Sequence, residues 1–403
     1  MKKGLQQKLL VDFRELDLRA IFSLMAVFSL AYGLFILYID ETGVPLTDIF
    51  AKAQTEPHAI LHLFNWHNSP YFLPVMMGLI GCLALYLAFF AYFSYRATLK
   101  YIPNSERVKF QAIVLSHGLT NLFDLILTPL ALIISGSLIY IFTGDFLTLD
   151  DASRALSASI NHFFESVPTI VELPYPLSFL TAILATDLVI YLKHRLVHES
   201  RFLWYVVHRS HHTPEYLHVM GTGPVYGFDF LLKTPTILLA LVLSKIFSNE
   251  PLFIETVVFY SLGLLVGQFS HTTAFYQFAY HNRLIHVLSH FFGSGIYHYT
   301  HHSAVEGEEV KNLSGNIFMF WDRVFGTYLK PRPDTPPVGL THQPDIVLNP
   351  LVLYFSGLRK ICFELKHNHP RYWFSIVFGS VYFTPPVTQD ELILSYSKRL
   401  TAS

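Results

Sequence analysis

Long apolar runs separated by short polar segments dominate the pattern of this chain. Four of them supply the ~20 apolar residues that a bilayer-spanning helix needs, and they lie at residues 20–39, 71–94, 118–143 and 174–193. Two further runs, 224–247 and 252–270, are separated by only a short polar segment, which is typical of a tight helical hairpin but also suits a buried or re-entrant pair. The pattern therefore predicts four to six membrane spans.

The composition supports a membrane protein and excludes several other classes. Hydrophobic residues make up 52% of the chain and charged residues 14%, against about 25% charged in soluble domains. The formal net charge of -1 provides no basic field for nucleic acid. The two cysteines, Cys82 and Cys362, have no paired spacing, so neither a disulfide framework nor a thiolate metal site is expected.

The distribution of basic residues predicts the orientation. Lys and Arg are frequent before the first run and after the second and fourth runs, whereas the loops near 40–70 and 146–173 hold few. Because cytoplasmic loops carry an excess of Lys and Arg, the end of the 174–193 run is expected on the cytoplasmic side. The first run is too long for a signal peptide and is interpreted as an uncleaved anchor. The chain is expected in a bacterial inner membrane, or in the endoplasmic reticulum of a eukaryote.

We expect an all-α fold, namely a polytopic helical bundle with a cytosolic helical cap. The predicted regions are an N-terminal transmembrane region over residues 1–150, a catalytic domain over 175–342 and a tail over 343–403. Prolines interrupt the apolar patches of the tail, so amphipathic segments lying on the membrane are favoured over further spans.

Three short histidine clusters give the chain its candidate chemistry. They read H-x-x-x-H, H-x-x-H-H and again H-x-x-H-H, and their members are His194, His198, His208, His211, His212, His298, His301 and His302. Residues three and four apart share one face of a helix, so pairs within a cluster can converge on one ion. Adjacent imidazoles such as His211 and His212 splay apart and can reach two ions. The spacing therefore predicts a dinuclear metal site.

The ligand type alone leaves the metal open. Imidazole suits Fe, Zn, Cu and Ni alike, and the protease motif H-E-x-x-H is absent because Phe202 stands where its second histidine would be after His198-Glu199. A multi-histidine dinuclear site at a membrane surface points to iron and to oxygen chemistry. Oxidation of a lipid C–H bond needs redox metals with open coordination positions in a site that excludes bulk water.

The surroundings of the clusters resemble the fatty acid hydroxylase/sterol desaturase superfamily, in the sterol-desaturase-like branch related to alkylglycerol monooxygenase. The resemblance covers residues 178–342 and depends on the order of all three clusters. It also includes Asp187 and Tyr191 before the first cluster, Leu203-Trp204 before the second, and the segments Gln268–His271, Trp321–Thr327 and Pro337–Leu340.

This resemblance implies an integral membrane, non-haem di-iron enzyme that uses O2 to hydroxylate or desaturate a lipid. The eight clustered histidines are then the metal ligands, and His271 is a ninth. The lipid would be a sterol, a fatty acyl lipid or an ether lipid. No flavin, haem or nicotinamide motif is visible, so electrons are expected from an external ferredoxin or b-type cytochrome with its reductase.

Other polar residues near the clusters have weaker assignments. Asp187 lies two helical turns before His194 and, like Asp322, is a candidate to accept a hydrogen bond in the outer shell of the site. His218 is a further outer-shell candidate. His286 and His290 share one face of a short amphipathic pattern, for which a structural role is favoured over metal binding.

Two other functions share these histidines. A metal-dependent lipid hydrolase would need neither O2 nor a reductant. A non-enzymatic metal-binding membrane protein, such as a transporter, would normally place its ligands within the spans rather than at their ends.

Overall fold

The computed structural model describes part of the chain, comprising residues 92, 94–120, 123, 162–218, 230–249, 252, 255–256, 259–260, 263, 267–292, 295–314, 317–340 and 349–388. The chain divides into two compact units, Met1–Lys100 and Tyr101–Ser403. The predicted span at 20–39, most of the span at 71–94 and nearly all of the span at 118–143 lie outside the described residues. The fold below is that of the second unit.

The described residues are helical and contain no β-strand beyond three isolated bridges. This confirms the predicted helical class. The helices with complete bounds are Tyr175–Glu199, Arg209–His212, Phe230–Lys245, Thr273–His281, Arg283–Ser289, Ile296–His301, Phe320–Val324, Pro350–His367 and Trp373–Phe378, with a π-helix at Leu203–His208 and 3-10 turns at Asn104–Glu106, Gln268–His271 and Pro370–Tyr372.

The helix Tyr175–Glu199, here called the long helix, positions the first histidine cluster. It has 25 residues and is therefore about 37 Å long, and it is the one helix among the described residues that is long and apolar enough to cross a membrane. Pro174 precedes it, and a proline within its first turn has no amide hydrogen to leave unpaired. His194 and His198 lie in its last two turns.

The helix Phe230–Lys245 packs on the long helix in the antiparallel direction. Its C-terminal end is bound to the start of the long helix, because Ser178 Oγ donates to the carbonyl of Phe247 at 3.0 Å. Lys245 Nζ donates to Thr169 Oγ1 at 2.8 Å just outside this junction. These contacts fix the long helix at the end opposite to its histidines.

A compact apolar cluster supports the third histidine cluster. It includes Leu217, Tyr276, Tyr297 and Met319, all of which are almost completely buried. Gly295, which precedes the helix Ile296–His301, has a φ of +91°, a conformation that glycine adopts without the steric cost of a Cβ. The helix that carries His298 and His301 is therefore held in the core from its first residue.

Candidate metal centre

The structure brings all nine predicted histidines together in two buried groups. The first, here called the five-histidine group, contains His194, His198, His208, His212 and His301. The second, here called the four-histidine group, contains His211, His271, His298 and His302. Within each group, the candidate ligand nitrogens all lie within 4.8 Å of one another. The fold thus offers two adjacent positions for metal ions.

The first H-x-x-H-H cluster contributes to both groups. His208 and His212, which are one helical turn apart, lie in the five-histidine group, whereas His211 lies in the four-histidine group. Successive residues of an α-helix point about 100° apart, which is why the adjacent imidazoles separate. The long helix adds its own pair, again one turn apart, to the five-histidine group.

The second H-x-x-H-H cluster reverses this division. His298 and His302 lie in the four-histidine group, and His301 lies in the five-histidine group. His271 completes the four-histidine group from the 3-10 turn Gln268–His271. In each cluster, the two histidines that are one helical turn apart belong to one group, and the remaining histidine belongs to the other. The same helices therefore support both groups.

A π-helix directs the first H-x-x-H-H cluster into the site. Residues Leu203–His208 form this turn, and the amide of Arg209 donates to the carbonyl of Trp204, five residues earlier. A π-turn contains one more residue than an α-helical turn, and such turns occur frequently at functional sites. The extra residue sets the direction of His208 and of the histidines that follow.

The nitrogen geometry suits metal coordination. His208 Nε2 lies 3.2 Å from the Nε2 atoms of both His194 and His212. In the other group, His298 Nε2 lies 2.9 Å from His271 Nε2 and 3.2 Å from His302 Nε2. Metal–nitrogen bonds of about 2.1 Å place neighbouring ligand nitrogens about 3.0 to 3.4 Å apart, so these distances fit ions bound at both positions.

Two nitrogens in the five-histidine group have no other partner. The Nε2 atoms of His198 and His301 are buried, and neither has a hydrogen-bond partner among the described residues. A buried polar atom without a partner costs free energy. A metal ion at this position would satisfy both atoms, so the residues present fit such an ion.

The electrostatics keep these imidazoles neutral. Burial, together with the neighbouring imidazoles, holds the pKa well below the usual histidine value at His208, His211, His212, His298, His301 and His302. Burial likewise lowers the pKa of His271 to about 3. A neutral imidazole has a free lone pair on one nitrogen, so the cluster is ready to bind a cation without first releasing protons.

Backbone carbonyls orient several of the imidazoles through their second nitrogen. The Nδ1 atom of His194 donates to the carbonyl of Leu313 at 2.6 Å, and that of His301 donates to the carbonyl of Lys311 at 2.8 Å. His271 Nδ1 donates to the carbonyl of Gly267 at 2.8 Å. Such hydrogen bonds fix the ring orientation and direct Nε2 towards the site.

The segment that provides the Lys311 and Leu313 carbonyls is itself held by side chains. Asp322 accepts from the amide of Leu313 at 2.7 Å and from the amide of Ser314 at 3.0 Å, and it also accepts from Thr327 Oγ1 at 2.6 Å. Asp322 is completely buried. It therefore acts on the site indirectly, because it holds the backbone segment whose carbonyl orients His194.

Asn312 lies between these two carbonyls and has a φ of +53°. Asparagine is one of the few residues other than glycine that adopt this left-handed conformation readily. Its side chain donates to the carbonyl of Leu329 and accepts from the amide of Leu329, at 2.9 and 2.8 Å. The turn at Asn312 lets the carbonyls on both sides of it face the same group of histidines.

The other candidate residues lie in different surroundings. Asp187, predicted to face the first cluster, accepts from the amide of Ile317 at 3.1 Å and so fixes the segment that leads to Phe320–Val324. His286 and His290 are in neither histidine group. They lie at the surface helix Arg283–Ser289, where His290 Nδ1 donates to the carbonyl of His286.

The sequence pattern does not reveal His117, which the structure places beside the site. It comes from the helix over residues 107–120, its Nε2 atom lies 3.0 Å from Thr213 Oγ1, and its ring lies edge-on to that of His218. Thr213 directly follows the first H-x-x-H-H cluster. A lone histidine in an apolar run gives no spacing signal, so only the tertiary structure reveals this contact.

A family comparison agrees with the site. Residues 179–327 match the model of the fatty acid hydroxylase family, and this segment contains all nine histidines of the two groups. Residues 179–327 are therefore similar to the fatty acid hydroxylase family. The matched segment begins in the long helix and ends at Thr327, the residue that donates to Asp322.

Several curated proteins similar to this chain are named for lipid oxidation. An alkylglycerol monooxygenase of Caenorhabditis elegans is 29% identical over 194 residues, which cover 47% of this chain and 35% of that protein. A sphingolipid C4-hydroxylase of Schizosaccharomyces pombe is 29% identical over 147 residues, or 36% and 46% of the two chains. An ornithine lipid hydroxylase of Rhizobium tropici is 28% identical over 176 residues, or 41% and 47%.

The extent of these matches limits what they establish. The chain spans about a third to a half of the length of these three relatives. No solved structure matches the chain. The similarity to the fatty acid hydroxylase family is therefore confined to residues 179–327.

Proposed function

We propose that this protein is a membrane-bound, O2-dependent lipid hydroxylase with two iron ions held by nine histidines. The observation that carries the proposal is the division of these buried histidines into two adjacent groups with metal-compatible nitrogen distances. The fatty acid hydroxylase match and the names of the relatives support the same chemistry.

Iron fits this set of donors better than zinc or calcium does. Structural zinc sites are usually tetrahedral and closed, whereas five histidines exceed that number, and calcium prefers oxygen ligands. Imidazole is a normal ligand of iron. Iron bound in the two groups would supply the activation of O2, and the ions would be held by the nine histidines named above.

The balanced reaction is insertion of one oxygen atom into a lipid C–H bond. The second oxygen atom leaves as water, which requires two electrons and two protons. We propose an external ferredoxin or b-type cytochrome with its reductase as the electron source. Hydroxylation is favoured over desaturation because the matched relatives are named as hydroxylases or monooxygenases.

The chain's own residues would exclude water from the site and fix the positions of its ligands. All nine histidines are at most 7% exposed, so bulk water does not reach the groups freely. The rings of Trp204 and His198 lie 4.9 Å apart, and those of Trp204 and His212 lie 5.4 Å apart, so this indole covers one side of the five-histidine group. Exclusion of water strengthens electrostatic interactions and prevents side reactions.

We propose that the site lies near the bilayer, because the long helix is long and apolar enough to cross a membrane. Its last two turns hold His194 and His198, so a lipid would approach from the apolar side of this helix. We propose that this end faces the cytoplasm, as the distribution of basic residues indicates. A soluble electron carrier would then reach the centre from the cytosol.

The experiment is a hydroxylation assay on the purified protein in lipid nanodiscs. Iron content is measured first, and the protein is then supplied with a reduced carrier, oxygen-18 gas and a panel of alkylglycerols, sphingolipids, ornithine lipids, sterols and fatty acyl lipids. Mass spectrometry is expected to find the label in a lipid alcohol, and the iron-free protein and the His301→Ala variant are expected to give none. An alkene product would indicate desaturation, and turnover without O2 consumption would indicate a hydrolase and overturn the proposal.

A further inference from the structure

We propose that the C-terminal segment Pro350–Thr388 is a positioning element of the metal centre. It lies outside the segment that matches the fatty acid hydroxylase model, which ends at residue 327. In the structure it packs against the π-helix Leu203–His208. We infer that it holds this turn in its widened form and thereby sets the direction of His208, His211 and His212. The inference rests on the proposed metal site.

The π-helix makes the first H-x-x-H-H cluster sensitive to its surroundings. One residue corresponds to about 100° of rotation in an α-helix, so return of this turn to α-helical form would rotate the residues that follow. His208 Nε2 would then leave its position 3.2 Å from both His194 Nε2 and His212 Nε2. Something outside the turn must therefore stabilise it, since α-helical hydrogen bonds are the ordinary alternative.

The first stabilising contact is a close approach of two backbones. Gly357, in the helix Pro350–His367, faces the carbonyl of Tyr205 within the π-helix, and a Cβ at this glycine would overlap the carbonyl carbon and oxygen. Only glycine permits this approach. The C-terminal helix therefore touches the widened turn directly, on the backbone itself.

The second contact is a buried ion pair between the two segments. Arg201, just before the π-helix, donates from Nη1 and Nη2 to the carboxylate of Glu364, at 2.7 and 3.1 Å. Their side chains are 2% and 0% exposed. Thr388 also donates to this carboxylate at 2.7 Å, and Lys360 Nζ lies 3.2 Å from it. A bidentate pair of this kind fixes both distance and orientation.

The third contact centres on the ring of Tyr205. Three cationic side chains lie near the ring centroid, namely Arg201 at 5.2 Å, Arg209 at 5.7 Å and Lys360 at 5.1 Å. Cations within about 6 Å of an aromatic ring are attracted by its quadrupole. Lys360 comes from the C-terminal helix and the other two flank the π-helix, so this ring joins the two segments at the widened turn.

An apolar cluster completes the contact. Val206 of the π-helix packs with Ile361 and Ile376 of the C-terminal segment, and all three are at most 5% exposed. The backbone of the segment also contributes, because the amide of Arg201 donates to the carbonyl of Gly379 at 3.0 Å. The C-terminal segment thus contacts the π-helix through backbone, charge and apolar side chains.

The test substitutes Gly357→Ala in the full-length protein and measures binding of Co(II). The visible absorption of Co(II) depends on coordination number and geometry, so it reports the arrangement of the ligands. Loss of outer-shell support typically weakens metal binding about ten- to hundredfold, and we expect a weakening of this size with an altered spectrum. The matched control is Arg359→Ala, which shortens an exposed side chain of the same helix.

A second variant separates positioning from folding. Glu364→Gln leaves Arg201 and Lys360 buried without their charged partner, whereas the triple variant Arg201→Met, Lys360→Met and Glu364→Leu removes all three charges and keeps apolar packing. The triple variant is expected to fold, as judged by monodisperse elution and a cooperative thermal transition. It is expected to recover tighter Co(II) binding than Glu364→Gln, since packing against the π-helix is retained.

The outcomes distinguish this inference from the proposed function. Failure of the unmodified chain to bind Co(II) would overturn the proposed metal site and the inference together. If Gly357→Ala lowers only the unfolding temperature, and keeps the affinity and Co(II) spectrum of the unmodified chain, the C-terminal segment is merely structural and the inference alone is overturned.

Discussion

The imidazole rings of His212 and His302 stack with their centroids 4.2 Å apart and their planes 20° from parallel. His212 belongs to the five-histidine group and His302 to the four-histidine group. The stacked pair is therefore the boundary between the two candidate metal positions.

The division of the clusters predicts different effects for adjacent residues. His301→Ala removes a ligand from the five-histidine group, and His302→Ala removes one from the four-histidine group. We expect each variant to lose mainly one of two Mössbauer quadrupole doublets in iron-57-loaded protein, and the two variants to lose different ones. His286→Ala, which alters a histidine outside both groups, is expected to keep both signals. Loss of the same signal in both variants would contradict the division.

The carboxylate of Asp322, which holds the backbone that orients His194, should affect metal affinity. In the Asp322→Asn variant, the amide side chain retains one oxygen for the amides of Leu313 and Ser314, and the charge is lost. The carbonyl that orients His194 then becomes less well fixed. We expect metal binding about ten- to hundredfold weaker, measured by competition with a chelator. Asp334→Asn, at an exposed position, is expected to have no effect.

The left-handed turn at Asn312 should matter for both stability and binding. Asn312→Ala removes two buried hydrogen bonds with Leu329, and alanine adopts a φ of +53° less readily than asparagine does. We expect the free energy of unfolding to fall by about 2–4 kcal/mol. Metal affinity is expected to fall as well, because both neighbouring carbonyls orient histidines. Asn312→Gly, which loses the same hydrogen bonds but adopts a positive φ without steric cost, should be less harmful in chemical denaturation.

Acid should destabilise the metal-free protein before it protonates the site. Burial lowers the pKa of His271 to about 3 and that of its neighbours well below the usual value. The unfolded chain gains protons near a pKa of about 6.5, so it binds more protons than the folded chain below that pH. The stability is therefore complete above about pH 6.5, and it decreases steadily as the pH falls towards the folded pKa.

Thermal unfolding between pH 8 and pH 4 (roughly the range that brackets the histidine titration) checks this expectation. The unfolding temperature of the metal-free protein should be constant at the upper end and fall below about pH 6.5. The unfolding temperature of the metal-loaded protein should fall less on acidification, since ligand binding stabilises the folded state. A metal-free unfolding temperature that rises on acidification would contradict the placement of neutral imidazoles in the site.

Local spacing was sufficient to predict part of the site. Residues one turn apart share a face, so His208 and His212 were expected to converge, and the structure places them in the same group. The splaying of His211 and His212 follows from the same helical geometry. The composition and apolar runs were likewise sufficient to predict a helical fold.

Other features depend on contacts between distant residues and have no local signal. The pairing of His301 with His194 joins residues over a hundred positions apart, and the carbonyl of Leu313 is a backbone group present in every sequence. The π-helix depends on its packing against Gly357. Helical spacing predicted that Asp187 lies on the same face as His194. It could not predict the hydrogen bond that Asp187 accepts from the amide of Ile317, which lies 130 positions later.

Each H-x-x-H-H cluster contributes one histidine to the group that contains the other cluster's pair, and this arrangement has a consequence for metal loading. An ion bound by His208 and His212 would also draw on His301, and it would thereby immobilise the helix that carries His298 of the other group. The first ion would lower the entropic cost of binding the second, so we expect loading to be cooperative. Partly metallated protein should accordingly be scarce at equilibrium, and the chain would be found either with both ions or with none.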